Sequence, residues 1–454
     1  MTATIAVPRR AGGVLPVAAG AAFFALLDTT VANLAVADVQ GDFAGVSVGA
    51  ATWIITIYAV LFAACLAPAG RVADVVGRRT LLLAGAGAFT VLSLACALAP
   101  SLGVLLAARA LQGVAAAAMI PASLAVVLAD TPPERRAAAI GAWSAAGALA
   151  AAAGPAIGGV LVDAVGWRAL FLINVPVGLA IIAGTRLIPG GAPGGRLPDV
   201  VGTVLLGLGI GAAALGIAQG PGWGWGDPRT LGTLAGAVLA VAVALRRSVR
   251  HARPALETRL WRSRRFAAAN LASLFYGAAL FPWMLVGVLF LVGVWEYTPL
   301  EAGLAMTPGA VVAAAVALRA GPVVARRGPA AVIGAGALVL GVAGLLGTFA
   351  LPEQPSFLAF WVPVGVLIGT GMGAITTGIS TAAALSVSPE RFAAAVGLNQ
   401  TARLLGGALG VAALAALLDG ATGIEPYTHV YLFCTLATFA VAGAAAWLSK
   451  EKTP

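Results

Sequence analysis

An aspartate in the middle of a long apolar run is the first residue whose type and placement imply chemistry. Asp28 lies within a run from about residue 14 to 37 and is the only carboxylate deep inside any such run. A charge at mid-membrane costs about 2.5–3.5 kcal/mol on insertion scales, so an intramembrane acid points to function. Arg109, inside the fourth run, is its natural partner. If the first run leaves the basic face and the fourth returns to it, the two side chains share a depth near the opposite face. Burial favours the neutral acid and the arginine favours the ionised one, so a carboxylate placed there can exchange a proton as the arginine approaches or retreats. Three roles stay open for Asp28: proton coupling, a structural ion pair, or contact with a cationic substrate. Gln112 and Gly113 follow Arg109 on the same helix face. The glutamine is placed to orient the guanidinium or simply to pack, and the glycine to admit a neighbouring helix.

Three other groups stand out. Arg403 lies inside a later run, with Asn399 and Gln400 one turn before it, forming one polar face on a helix of Ala, Gly and Leu. That face is costly against lipid, so it is expected to line a cavity or meet the opposing half. Trp283 follows Pro282 deep in another run, where a kinked helix presents the indole either to a cavity or to packing. Asp74 sits with Arg71, Arg78 and Arg79 in the segment Gly70 to Arg79, with its glycines at Gly70 and Gly77, on a turn joining two runs. Read as a solvated turn with one screened ion pair, it contributes little stability.

The elements that must position these residues follow from composition. Of 454 residues, 60% are hydrophobic and 10% charged, against about 25% charged in a soluble domain, which excludes a soluble enzyme. Fourteen membrane helices of about 20 residues each account for the apolar content. The 59 glycines and 26 prolines would weaken helices in water, yet in lipid they allow close helix packing. The runs group as six, two and six: residues 1–188 as an N-terminal six-helix bundle, 189–199 as a linker, 200–246 as an inserted pair, 247–265 as a basic segment, and 266–454 as a C-terminal six-helix bundle. A net charge of +10 would suggest nucleic acid if it formed one patch. Instead, 23 of the 27 basic residues fall in alternate loops and at the termini, and only Arg168 and Arg229 lie in the opposite loops. This positive-inside bias places both termini in the cytoplasm and argues against a nucleic-acid partner. Nine of the ten tryptophans, Trp143 and Trp361 among them, are assigned to interfaces or loops, with Trp283 the exception. The basic segment from Arg246 to Arg265 carries eight arginines and one acid, Glu257, and is expected to be a solvated linker beneath anionic head groups.

Some chemistry is excluded. No Gly-x-x-x-x-Gly-Lys-Ser/Thr loop occurs, so ATP is not the expected energy source. His251 and His429 lie far apart, and Cys65, Cys96 and Cys434 have no ligand spacing. No metal site and no catalytic residue is therefore expected.

A partial repeat supports the two-bundle reading. Gly70 to Arg79 (GRVADVVGRR) follows the second run, and Gly321 to Gly328 (GPVVARRG) follows the tenth, with Ala325 where Asp74 would stand. The first of these segments resembles the hallmark loop of the major facilitator superfamily. Leu27 to Asn33 (LDTTVAN), Arg109 to Gly113 (RALQG), Gly154 to Gly159 (GPAIGG), Trp167-Arg168 through Asn174 to Pro176, and Pro299 to Gly303 (PLEAG) are similar to segments of its fourteen-span drug:proton antiporter branch. The resemblance covers nearly the whole chain, and its specificity lies in the order of the segments. It implies an all-α integral membrane fold of two six-helix bundles plus two inserted helices. Its implied activity is export of lipophilic small molecules by a functional monomer in the bacterial cytoplasmic membrane, driven by the proton gradient and needing no cofactor. It assigns proton coupling to Asp28 and Arg109. The substrate cavity falls to Asn33, Gln112, Trp283, Asn399, Gln400 and Arg403. The gate falls to Gly70, Arg71, Asp74, Gly77, Arg78 and Arg79, with Asp74 held by arginine and by a helix N-terminus. The helix carrying Gly147, Gly154, Pro155, Gly158 and Gly159 marks exporters in that family. An importer or facilitator of the same fold, or a receptor or scaffold that has kept it, is the alternative.

Overall fold

The computed structural model describes residues 13–43, 45–190, 197–418 and 423–449. Among them fourteen helices are long and apolar enough to cross a membrane, and no strand occurs. Without water to satisfy backbone amides, an apolar chain in lipid has helices as its ready solution.

The first six are α1 (Val14–Val31), α2 (Trp53–Val76), α3 (Arg78–Ala97), α4 (Leu102–Asp130), α5 (Arg136–Val165) and α6 (Asn174–Gly184), the last being the middle of a span that runs from Ala169 to Leu187. Two more, α7 (Val200–Trp223) and α8 (Pro228–Arg250), precede the last six. Those are α9 (Arg264–Gly293), α10 (Pro299–Arg327), α11 (Pro329–Phe349), α12 (Val362–Ala384), α13 (Phe392–Leu418) and α14 (Glu425–Ser449). The linker expected at 189–199 lies mostly outside the described residues. The repeated segments are not loops. Helix α2 runs on through Arg71 and Asp74 to Val76, and only Gly77, at φ 110°, separates it from α3. Helix α10 ends likewise at Gly328, at φ 79°. Nothing before those glycines breaks the helix, and only glycine adopts such angles without strain.

The two bundles meet along two equivalent seams, α2 against α13 and α5 against α10. In the first, a Cβ on Gly70 would collide with the Ala393 carbonyl and one on Gly397 with the Leu66 carbonyl. In the second, Gly321 stands against Ala137 and Gly141 against Ala317 in the same way. Missing side chains thus let the helices touch by backbone at the end where the arginines cluster, here called the basic end. Helix α7 packs on α2 and α13, and α8 packs on α7, so the inserted pair flanks the first seam. Asp199, just before α7, accepts from Arg247 of α8, which binds the pair together.

The basic segment is more than a solvated linker. Glu257, its single acid, bonds Arg71 of α2 at 2.9 Å and Arg391, beside the start of α13, at 2.8 Å. At the opposite end Asp42 accepts from the Trp167 indole and the Arg168 guanidinium, which together hold its carboxyl below the usual carboxylate range.

Candidate functional site

Asp28 and Arg109 do meet. The guanidinium Nη1 donates to Asp28 Oδ2 at 2.6 Å, and the two side chains are 0% and 1% exposed. Asn174 of α6 donates to the other carboxylate oxygen at 2.8 Å. Gln112 accepts from Arg109 at 2.7 Å and donates to Ser93 of α3 at 2.7 Å. The Arg109 Nε reaches the Ile54 carbonyl at 3.1 Å, and the Tyr58 ring lies under the guanidinium at 4.2 Å. Gly113 admits α2 next to this cluster, its missing Cβ facing the Tyr58 carbonyl. Each charge is therefore paired with the other and hydrogen-bonded by its neighbours, as burial in a low-dielectric interior requires. Sequence reading missed Asn174, Ser93 and Tyr58 as members. Asn174 and Ser93 are polar residues within apolar runs, and that was the signal available.

A separate cavity of about 340 Å³ lies between the bundles, from mid-membrane toward the end opposite the arginines. Trp283, Gln400, Arg403 and Gly147 line it. Three expected members do not. Asn33 is exposed and donates to the backbone carbonyls of Thr29 and Thr30. Gln112 is spent on the Asp28 cluster. Asn399 is bonded to Ser273 at 3.1 Å and lines only a small neighbouring void. Trp143 and Trp361, assigned to the interface by sequence, are buried instead and line the cavity. Their indole nitrogens bond Ser123 and the Ala305 carbonyl, so an internal partner makes mid-membrane burial tolerable.

Helix α5 runs unbroken past Gly154, and the Pro155 side chain lies outside the described residues. Gly154 faces Thr30, Gly158 faces Leu34 and Gly147 faces Leu26, so three glycines seat α5 against the first helical run. Gly159 faces open space.

The basic end is shut. Asp74, read from sequence as solvated, has a side chain only 1% exposed. It accepts from Arg78 at 2.8 Å and from the backbone amides of Ala394 at 2.8 Å and Ala393 at 3.3 Å, at the N-terminus of α13. Those amides have no partner within their own helix, and the helix dipole favours an anion there. Arg78 also donates to the Pro389 carbonyl, adding a second tie between the halves. Arg79 points elsewhere, toward Gly190.

Two helical bundles around one central cavity, closed at one end by inter-bundle contacts, define a membrane transporter rather than an enzyme. Comparison with known proteins names its kind. The profile of the Major Facilitator Superfamily matches residues 18–411 and 293–454, and the chain belongs to that family. It is 34% identical over 373 residues to the probable actinorhodin transporter of Streptomyces coelicolor, covering 79% of this chain and 64% of that protein. It is likewise 34% identical over 391 residues to the tetracenomycin C resistance and export protein of Streptomyces glaucescens, covering 86% and 72%. The crystal structure of the human organic anion transporter MFSD10 superposes with a TM-score of 0.68 at 17% identity, covering 96% of this chain and 100% of that one. At that identity the likeness shows the fold alone.

Proposed function

We propose that this protein exports lipophilic small molecules of the antibiotic class across a bacterial cytoplasmic membrane, in exchange for protons and by alternating access. The observation that carries it is the Asp28–Arg109 pair: a carboxylate sealed from the cavity and held by Arg109 of α4 and Asn174 of α6. Protonating Asp28 releases the guanidinium, which gives proton binding a direct handle on bundle position. The names of the relatives support export of antibiotics, and the arginine bias supports cytoplasmic termini. In that orientation the closed basic end is the cytoplasmic gate and the cavity is poised toward the outside. A monomer supplies every residue of the pair, the cavity and the gate, and the energy comes from the proton gradient.

Everted vesicles with an imposed pH gradient test this. Export predicts uptake of a tetracyclic or anthracycline probe into vesicles acidified inside, and its collapse with a protonophore. Probe movement indifferent to the gradient would indicate a facilitator, gradient-driven movement the other way an importer, and no movement a receptor or scaffold.

A further inference from the structure

Among the described residues Arg403 is the one charged residue lining the central cavity. It is 8% exposed, and its Nε and Nη2 are buried with no hydrogen-bond partner. Its one described interaction is the Tyr276 ring, 5.3 Å from the guanidinium. Tyr276 cannot serve it as acceptor-in-waiting, because its hydroxyl is engaged with Thr376 at 2.7 Å and the Met372 carbonyl at 3.2 Å. Two more buried groups on the cavity wall are also unpartnered: the Trp283 indole N–H, which only donates, and the Ser144 hydroxyl. Among the described residues no Asp or Glu lines the cavity. An unpaired buried cation with orphaned donors is expensive for the empty protein.

The position is specific to one half. In the register set by the seam glycines, Arg403 lies six residues past Gly397, as Gly147 lies six past Gly141. Both line the cavity, one from each bundle. The charge is therefore placed on one wall only, with a glycine at the matching position of the other bundle.

Resting on the reading of this cavity as the substrate site, we infer that it selects aromatic anions, with a carboxylate or phenolate oxygen taken by Arg403 and the ring system held among Trp283, Tyr276 and Phe281. A guanidinium fork matches two acceptor oxygens in one plane, and Trp283 supplies a further donor. The aromatic wall and a volume of about 340 Å³ suit a ligand of several fused rings. A cationic ligand would meet Arg403 with no compensating acid. Asp28 does not compensate, because it is bonded to Arg109 and Asn174 and lies off the cavity wall.

The test is equilibrium binding of three matched fluorescent probes to the purified full-length protein in lipid nanodiscs: 1-pyrenebutyrate, its neutral amide, and 1-pyrenemethylammonium. The acid is expected to bind at least about tenfold more tightly than the amide, equivalent to about 1.4 kcal/mol, and more tightly still than the ammonium. Arg403→Gln is expected to bring acid and amide within about threefold of each other. Arg403→Lys guards against a folding failure: it keeps the charge, so the acid remains preferred over the ammonium, while losing the fork costs several-fold in acid affinity. Trp283→Phe is expected to weaken acid and amide alike. Equal binding of acid and ammonium, an acid preference unchanged in Arg403→Gln, or no binding of any probe overturns the assignment. Each of those results leaves proton-driven export standing, since the everted-vesicle experiment decides it separately.

Discussion

Among the described residues the two bundles carry one deeply buried arginine each and treat it in opposite ways. In the first, Arg109 is bonded to Asp28, Gln112 and the Ile54 carbonyl. In the second, Arg403 has two nitrogens without partners and faces the cavity. A saturated ion pair is suited to switching on protonation, because loss of one charge releases the other. An unsaturated cation is suited to capturing a ligand, because the ligand supplies what the protein withholds. The seams between the bundles differ in the same sense. Both close by glycine against a carbonyl, but only α2 against α13 adds a buried carboxylate, and Ala325 stands where a second one would be.

The change expected to bite hardest on that comparison is Asp28→Asn. Asparagine nearly keeps the shape and still accepts from Arg109, yet it cannot take up or release a proton. Gradient-driven efflux should fall to background, on the order of 100-fold or more, while probe binding at the Arg403 wall changes by no more than a few-fold. Full gradient-coupled efflux of every substrate by this variant would remove Asp28 from the coupling step. Poor expression with residual coupling would reduce it to a structural partner, for which breaking a buried pair costs about 3–5 kcal/mol.

The seams are sharpened by a matched pair, Gly70→Leu and Gly321→Leu. Each side chain collides with backbone across its seam, so each should hold the basic end apart and cut turnover by about tenfold or more. Cysteine accessibility at that end should rise in both. A harmless Gly321→Leu would show that the two seams, equal in geometry, are unequal in use.

Asp74→Asn and Glu257→Gln probe the charges laid over the first seam, with smaller effects. Losing a buried charge-assisted bond to two helix amides shifts the closed state by about 1–3 kcal/mol, so Asp74→Asn should slow turnover by about tenfold without loss of folding. Glu257 is less deeply set and holds two arginines that remain in contact with solvent. Its replacement should cost about 1 kcal/mol or less and be masked by high salt. Turnover assays at low and high ionic strength separate the two, and an Asp74→Asn defect that salt also masks would move Asp74 into the solvated class.

Much was legible before any coordinates. Helix direction and rise per residue, quantities local to each run, suffice to place Asp28 and Arg109 at one depth. The repeat at Gly70 and Gly321 pointed to two related halves, and the structure adds that these glycines stand in the seams between them. Other assignments failed for a common reason. Asn33, Gln112 and Asn399 are polar residues near the right depth, but each spends its hydrogen bonds on a neighbour instead of the cavity. Depth can be counted along a chain, whereas azimuth around a helix is settled by what packs against it. Glu257 was hidden for the same reason, since one acid among eight arginines gives no hint of the two it chooses.

The amino-acid sequence by itself determined the number of spanning helices, the six-two-six grouping, the arginine-rich end and the presence of one intramembrane acid. Lipid imposes those features residue by residue, because apolar length and backbone satisfaction are local requirements. Only the tertiary structure decided which buried charge would be answered and which left open. That outcome depends on groups brought together from helices far apart in the chain: Asn174 and Ser93 beside Asp28 and Arg109, and, among the described residues, no acid beside Arg403. Pairing in a low-dielectric interior is a property of neighbours in space, and no spacing along the sequence encodes it.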